Sequence, residues 1–545
     1  MQAREMENET GIDEKFSLVL GDMRIEVMKE KLANKSRYFS SLFSHNFTDS
    51  KDKQHIINYN IVPSTLENFV EWIHDDEDRV ESNRHPIKVS MAKFVDSNFA
   101  DLLNLLQLSV LFMADDLTDD STDIIVLYWL SPDKVVDVWL LAQELSLSVL
   151  RDVCLTVCLD RFDELSVPTL VGLSKENIVT LLSNTNVRSS NDHLNHVRDE
   201  WIQYNMTSDI IEIVDDRKSN SVQCLVVHKV DIAAAVKQAY IYTWDGTTLS
   251  ELVPLKKIKE SDKELIGMQV TGRGYSVYMV GGEWGLGTGQ FNKAIWRYCL
   301  ISKKLYYHVR LPVPRRHMVA VFLDNKLTIV GGVSRHRLKL STVDIFDIYT
   351  GTWTKGARVP EDFTEVPPHC VMNGKLFLIK SSVYIYYPNT NHWETILIYS
   401  CPAVQNVDAF FTYDTALFLT GSHLGDMVLS RIEIANDSIS DNTKTPGPYI
   451  EQSELENCIV HEDESCQLKY VRVAGIGVMI LGVHGDSSKN TSLHLYTESR
   501  MELDHSVFNP SGFLGWRIRF TDTVDINLLP CLPKIYLICL TEYPF

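Results

Sequence analysis

The spacing of apolar positions changes twice along the chain, and each change predicts a different kind of structure. Over residues 14–130, strands and helices are mixed. Residues 16–20 and 23–28 read as two short strands around Gly21-Asp22, a hairpin turn. Residues 29–43 carry a rough helical stripe of Leu32, Tyr38, Phe39, Leu42 and Phe43, and residues 55–59 read as another strand. Ser64 is placed to cap a helix that buries Leu66, Phe69, Val70, Trp72 and Ile73. Residues 102–113 and 123–130 predict two further helices.

From 131 to 214 the spacing is helical throughout. Ser131-Pro132-Asp133 is a start signal: a cap, a proline at the first helical position and an acid on the positive end of the dipole. Val135, Val138, Trp139, Ala142 and Leu145 line one face, and Leu150, Val153, Cys154, Val157, Cys158 and Phe162 a second helix. Ser174 caps a third, apolar at Ile178, Leu181 and Leu182, and after a polar turn Leu194, Val197 and Trp201 mark a fourth. Residues 215–220 are charged and polar, a candidate linker.

Beyond 221 the chain has many short strands and almost no helical periodicity. A repeat organises it. Residues 327–330 are an apolar, β-branched run, Gly331-Gly332 breaks it, residues 343–347 alternate, Thr350-Gly351 turns and Trp353 follows. The strand and paired glycines recur at 278–282, trailed by Trp296. Weaker copies end in Ser381-Ser382 (with Trp393), Gly421-Ser422 and Gly482-Val483. Residues 224–227 and 240–244 look like part of another, and 535–540 like one more strand. Several strands in a period of about 40–60 residues predict a β-propeller, with a C-terminal strand expected to close it on the first blade.

The 545 residues allow several domains, and the formal net charge of −20 argues against nucleic acid or an anionic membrane as the main partner. No apolar run approaches the roughly 18 residues of a spanning helix. The ten cysteines are scattered without a CxxC pair, as free thiols of a reducing cytosol are, so a cytoplasmic protein is expected.

The string at 25–43, then a polar loop, a strand and Ser64-Thr65-Leu66-Glu67-Asn68-Phe69, resembles a BTB (POZ) domain. Leu32-Ala33, Ser36-Arg37-Tyr38-Phe39 and Leu42-Phe43 are its most telling residues. Met28 stands where that family usually has histidine, and His74-Asp75-Asp76 where it has Tyr-Thr-Gly. A short polar lead-in stands where the family commonly has an apolar helix that builds its dimer interface, so homodimerisation is left open. Asn186-Val187-Arg188-Ser189 and the helix bearing Trp201 resemble a BACK domain. Strand, double glycine, strand and tryptophan resemble kelch repeats. Residues 343–353 (VDIFDIYTGTW) lie close to that consensus, and Arg315-Arg316-His317 fits its interblade segment. The resemblance implies an α/β BTB domain over 14–130, an all-α BACK domain over 131–214 and an all-β kelch propeller of six blades over 221–545.

Candidate chemistry is sparse. The glycines of 281–289 would need a helix directly after them to cradle a dinucleotide, and a strand is expected there instead. Trp296, Trp353 and Trp393 read as repeat-equivalent blade packing. His193 and His196 lack further ligands and read as a solvent-facing pair, and Asp115, Asp116, Asp119, Asp120 and Asp123 as a solvated turn. No catalytic constellation and no cofactor or metal site emerges.

In BTB adaptors of this type, a hydrophobic residue followed two positions later by glutamate inserts into cullin-3. Phe47-Thr48-Asp49 stands at that place, so the resemblance implies Phe47 as an apolar anchor and Asp49 as its polar partner; the plain alternative is an ordinary exposed loop. Arg315, Arg316, Arg335, His336, Arg337 and Lys339 fall in segments that kelch architecture brings to one face. A basic patch on an acidic protein points to a partner with an acidic peptide, against the alternative of solubilising charge. The expected function is a non-enzymatic adaptor whose propeller binds a substrate protein and whose BTB and BACK domains bind cullin-3. The rivals are a scaffold that binds actin or another cytoskeletal protein, and a propeller enzyme, for which no ligand set can be assembled.

Overall fold

The structure is a computed structural model. It describes residues 14–44, 53–75, 79–80, 85–207, 210–213, 221–222, 224–231, 236–244, 249–255, 265–285 and 287–398, and the strands of 407–525 named below. The chain falls into two compact units, Met1–Val157 and Cys158–Phe545.

In the first unit, β1 (Lys15–Leu20) and β2 (Met23–Met28) form the expected hairpin, with Gly21 at φ 59° in the turn. The helical stripe that follows is two helices, α1 (Lys29–Lys35) and α2 (Arg37–Phe43). Ser36 separates them because its side chain competes for backbone partners. It is extended, its Oγ accepts from the Phe39 amide at 3.2 Å, and the same hydroxyl donates to the Phe112 carbonyl at 2.6 Å. Then β3 (Gln54–Ile56), shorter than expected, pairs parallel to β1 at the sheet edge.

The next helix, α3 (Pro63–His74), begins on Pro63 and not on a Ser64 cap. A proline lacks only the amide that a first turn leaves unused. It buries Leu66, Phe69, Val70, Trp72 and Ile73 as expected. Lys35 and Lys88 lie 5.0 and 4.4 Å from the Trp72 ring, whose Nε1 donates to Asp120 at 3.0 Å. The pair β4 (Arg79–Val80) and β5 (Ile87–Lys88) precedes α4 (Phe99–Leu111) and α5 (Asp115–Tyr128). The acidic run is the first half of α5 and not a turn: Asp115 and Asp116 occupy its first turn, where the helix dipole favours negative charge. Before α6 (Val135–Glu144), residues 131–134 form a turn whose Ser131 carbonyl accepts from Lys134 and Val135, so the start signal sits one turn early. The long α7 (Ser148–Asp160) runs on into the second unit.

The second unit opens with α8 (Val167–Val171), α9 (Lys175–Leu182) and α10 (Asn191–Tyr204). Ser174 and Ser190 cap α9 and α10 by accepting the Asn177 and His193 amides. Leu194, Val197 and Trp201 are buried, and the Trp201 indole donates to the Leu173 carbonyl at 2.9 Å. The expected linker, 215–220, lies outside the described residues.

Strands follow. β6 (Ser221–Val222) precedes the antiparallel meander β7 (Cys224–Asp231), β8 (Val236–Trp244), β9 (Leu249–Leu255). Next come β10 (Leu265–Ile266), β11 (Gln269–Arg273), β12 (Ser276–Val280), β13 (Glu283–Trp284), β14 (Ala294–Cys299) and β15 (Lys304–Arg310). Of these, β11, β12, β14 and β15 make a four-stranded antiparallel sheet, while β13 pairs with β10. The pattern repeats in β16 (Val319–Leu323), β17 (Lys326–Val330), β18 (Val343–Asp347) and β19 (Trp353–Gly356), and again in β20 (His369–Met372), β21 (Lys375–Ile379), β22 (Val383–Tyr387) and β23 (His392–Ile398). It continues through β24 (Val407–Tyr413), β25 (Ala416–His423), β26 (Asp426–Ala435) and β27 (Tyr449–Asn457), the last also pairing in parallel with β23. A further sheet holds β28 (Cys466–Val473), β29 (Gly477–His484), β30 (Thr491–Tyr496) and β31 (Asp504–Phe508). β32 (Arg517–Phe520) returns to pair with β7, and β33 (Val524–Asp525) with β6. Such pairing covers an edge that would otherwise invite association. Several four-stranded antiparallel sheets in succession are consistent with a kelch propeller. The strand expected at 535–540 lies outside the described residues.

The sheet of β16–β19 is apolar on both faces because it is sandwiched between its neighbours. Along β16, Ala320 and Phe322 pack towards Tyr278, Val280 and Ile295, while Val319, Val321 and Leu323 pack towards Leu376, Leu378 and Tyr386. A period of two therefore serves two cores at once. The glycine doublets sit where neighbours come closest. A Cβ on Gly331 (φ 61°) would stand 2.6 Å from the Phe363 ring, and one on Gly281 (φ 60°) 2.5 Å from the Arg315 carbonyl.

One carboxylate ties the helices to the sheets. Asp160, the last residue of α7, accepts from Arg188 ahead of α10, from Arg273 at the end of β11 (3.0 and 3.1 Å) and from the Tyr349 hydroxyl after β18. Arg161 lies 4.3 Å from the Tyr349 ring. Burial by itself would raise the Asp160 pKa, but the two arginines and the hydroxyl hold it down, from 3.8 to about 2.

Gly331→Ala is expected to lower the stability of the second unit by roughly 2–4 kcal/mol, through left-handed strain and overlap with Phe363. Gly351→Ala, at φ 69° with nothing within 4 Å, should lose only about 1 kcal/mol. Denaturant titration of the two variants checks the difference. Since the folded pKa of Asp160 is depressed, its stabilisation of roughly 2 kcal/mol is complete above pH 4 and is lost as pH falls towards 2. Asp160→Asn, which strands two arginines, should remove about 3–5 kcal/mol near neutrality and flatten that acid limb in a pH series of unfolding curves.

Candidate functional site

The six basic residues expected on one rim separate into two groups. Arg315 and Arg316 are structural, a correction to the expected patch. Arg315 is 0% exposed. Its Nε donates to the Val313 carbonyl at 3.0 Å, one terminal nitrogen to the Gly331 carbonyl (3.1 Å) and the Thr342 hydroxyl (3.2 Å), and the other to Asp344. Burial lowers its pKa and the Asp344 carboxylate opposes that shift. The Arg315 carbonyl meanwhile accepts the Gly282 amide at 2.9 Å. Arg315 thus joins the sheet of β11–β15 to that of β16–β19. Arg316 pairs with the buried carboxylate of Glu283 at 3.2 Å. Its backbone exchanges two hydrogen bonds with Val333, at 3.0 and 2.8 Å.

Arg335, His336, Arg337 and Lys339 remain exposed, all on the connection between β17 and β18. Leu338 among them is 62% exposed. The connection is tight: the Ser334 amide donates to Leu338 (2.9 Å), Leu338 to Arg335 (3.2 Å) and Leu340 to Gly332 (2.9 Å). His336 and Arg337 hold φ of 58° and 57°, a left-handed backbone that non-glycine residues seldom adopt outside functional or tightly held turns. Lys339 approaches Asp362 at 3.4 Å. Arg335, His336 and Arg337 form no ion pair among the described residues.

Phe47 and Asp49 lie outside the described residues. On the segment that follows them, Ile56, Tyr59 and Val62 each expose about half their surface (56, 49 and 51%). Exposed apolar side chains so close together suit a protein partner.

Other sequence candidates resolve as packing. Trp353 and Trp393 are repeat-equivalent: each stands at the start of the fourth strand of its sheet, first in β19 and second in β23, and lies against an aromatic ring of the third, Phe346 at 4.9 Å and Tyr386 at 5.0 Å. Trp296 is not equivalent, since it sits in a third strand opposite Met279. In that sheet Leu305, opposite Tyr298, takes the tryptophan's place. A place after a double glycine therefore does not by itself fix the strand on which a tryptophan falls. The glycine-rich segment leads into β14, a strand, with the Gly289 amide on Glu283 at 2.7 Å. His196 faces solvent, but His193 is half-buried against Phe162, ring centroids 5.9 Å apart. Among the described residues, no group of three or more His, Cys, Asp or Glu could hold a metal ion, and no helix is long and apolar enough to cross a membrane. Sequence reasoning missed the Asp160, Arg273 and Tyr349 cluster, whose members are too far apart in the chain to signal each other.

Comparison with known proteins agrees with this organisation. A family model of the BTB/POZ domain matches residues 9–113, and a model of the Kelch motif matches residues 314–360. No curated protein matches the chain. Both matched domains are protein-interaction domains and not enzymatic ones. With a BTB/POZ domain at the N-terminal end and a kelch motif in the strand-rich half, the chain is consistent with a BTB–kelch protein.

Proposed function

We propose that the chain is a substrate-recognition adaptor of a cullin-3 type E3 ubiquitin ligase. A target protein is held by a six-bladed kelch propeller over 221–545, and cullin-3 by the BTB domain over 14–130 together with a BACK domain over 131–214. The observation that carries this reading is the union of two protein-interaction domains in one chain, the N-terminal one exposing Ile56, Tyr59 and Val62, which follow Phe47 and Asp49 in the sequence. The protein acts in the cytoplasm and makes or breaks no bond itself. It works by proximity: a target held on one domain meets a ligase held on another at a raised effective concentration. A second reading, a scaffold that binds actin or another cytoskeletal protein, is favoured by Asp49, one methylene shorter than the glutamate of the family's motif.

Capture of cullin-3 on immobilised full-length chain separates the two. The adaptor reading expects binding that Phe47→Ala with Asp49→Ala lowers at least about tenfold, as loss of a central anchor does. No cullin-3 on the intact chain, with co-sedimentation on actin filaments, would establish the scaffold instead.

A further inference from the structure

We propose that the connection of residues 335–339 is the docking site for an acidic peptide segment that carries an apolar side chain among its carboxylates. The proposal deepens the target-holding role above and rests on it for the identity of the propeller as the target-binding domain.

Three observations carry it. Arg335, His336 and Arg337 are adjacent, exposed and without an ion-pair partner among the described residues, in a chain of net charge −20. Adjacent like charges repel, and solubility calls for no such cluster in a chain already far from neutral. Second, the segment is fixed before any partner arrives. Its own turn bonds and the paired backbone of Arg316 and Val333 hold it, with His336 and Arg337 in the left-handed region. A rigid presenting loop loses little freedom on binding. Third, Leu338 stands exposed in the middle of the cations. Surface charge alone needs no leucine there, whereas an apolar anchor ringed by charge is how a peptide interface concentrates its affinity. Lys339 shows the preference in miniature, since the oxygen beside it belongs to the Asp362 carboxylate.

The same cations fit a nucleic acid less well. The loop 333–340 contains no Phe, Tyr or Trp on which a base could stack, and its exposed Leu338 offers an apolar contact that a phosphate backbone does not use. The removal of Arg315 and Arg316 from the patch narrows the ligand as well: the site is one short loop, fitted to a few carboxylates and one side chain.

Fluorescence anisotropy of labelled peptides on the full-length chain tests this. The probes are a Glu/Asp peptide with one central leucine, the same peptide with serine for that leucine, its Lys counterpart, and an oligothymidylate of equal charge. The leucine-bearing acidic peptide should bind most tightly, and its affinity should fall as salt rises. Arg335→Glu with Arg337→Glu should weaken it at least about tenfold and Leu338→Ser about three- to tenfold, both with an unchanged thermal midpoint. Should the double variant fail to fold, Leu338→Ser and the salt series decide. Equal binding of acidic and basic peptides, indifference to these substitutions, or tighter binding of the oligonucleotide would overturn the proposal. Cullin-3 capture by the double variant should stay intact, so loss of the docking site and loss of the adaptor role are read separately.

Discussion

The guanidinium of Arg315 is the constraint on which the best-formed sheets depend. Burying a cation is costly unless every donor finds an acceptor. Here the acceptors are the Val313 and Gly331 carbonyls, the Thr342 hydroxyl and the Asp344 carboxylate, supplied by the interblade segment and by the sheet of β16–β19. Such a pair sets register more than it adds stability. The glycine doublets belong to the same arrangement. The Arg315 carbonyl lies where a side chain on Gly281 would stand, and the Arg316 carbonyl 2.8 Å from where one on Gly332 would. The next residue carries the arrangement on to the exposed loop, because the backbone of Arg316 pairs with Val333 at its root.

A second ionic centre does for the helices what Arg315 does between sheets. Asp160 draws one arginine from the helical segment, one arginine from β11 and a tyrosine from the turn after β18. The helical segment and the sheets of the second unit are thereby held in one fixed relation. A buried carboxylate shared by three donors fixes orientation more sharply than an apolar contact, since hydrogen bonds are directional.

Much of the fold was legible in the residues. The hairpin around Gly21, the buried face of α3, the Ser174 cap, the helix bearing Trp201 and the strand–double-glycine repeat all follow from local patterns that the structure keeps. The departures share a cause. Ser36 split a continuous apolar stripe because its side chain found the Phe112 carbonyl, far away in sequence. The acidic run joined α5 because Lys88, Trp72 and Arg37 partner its carboxylates. Trp296 followed a double glycine yet fell one strand short of its apparent equivalents, because only 13 residues separate it from Gly282 where 20 separate Trp353 from Gly332. The candidate site was half legible: charge and motif marked the basic segments, but not which arginines would be buried.

The sequence by itself determined the order of the domains, the kind of element in each, the acidic balance and the repeat with its glycines and tryptophans. These depend on near neighbours, and near neighbours are written side by side. Only the tertiary structure decided that Arg315 is a buried clamp while Arg335, His336 and Arg337 stand free, and that Asp160 joins the helices to the sheets. Exposure and ion pairing are set by residues that meet only after the strands have paired, so arginines that look alike in the chain part company in the fold. The stretch around Gly331-Gly332 shows both halves: its pattern announces a blade, and its packing against Phe363 and Arg316 explains why nothing larger than glycine fits.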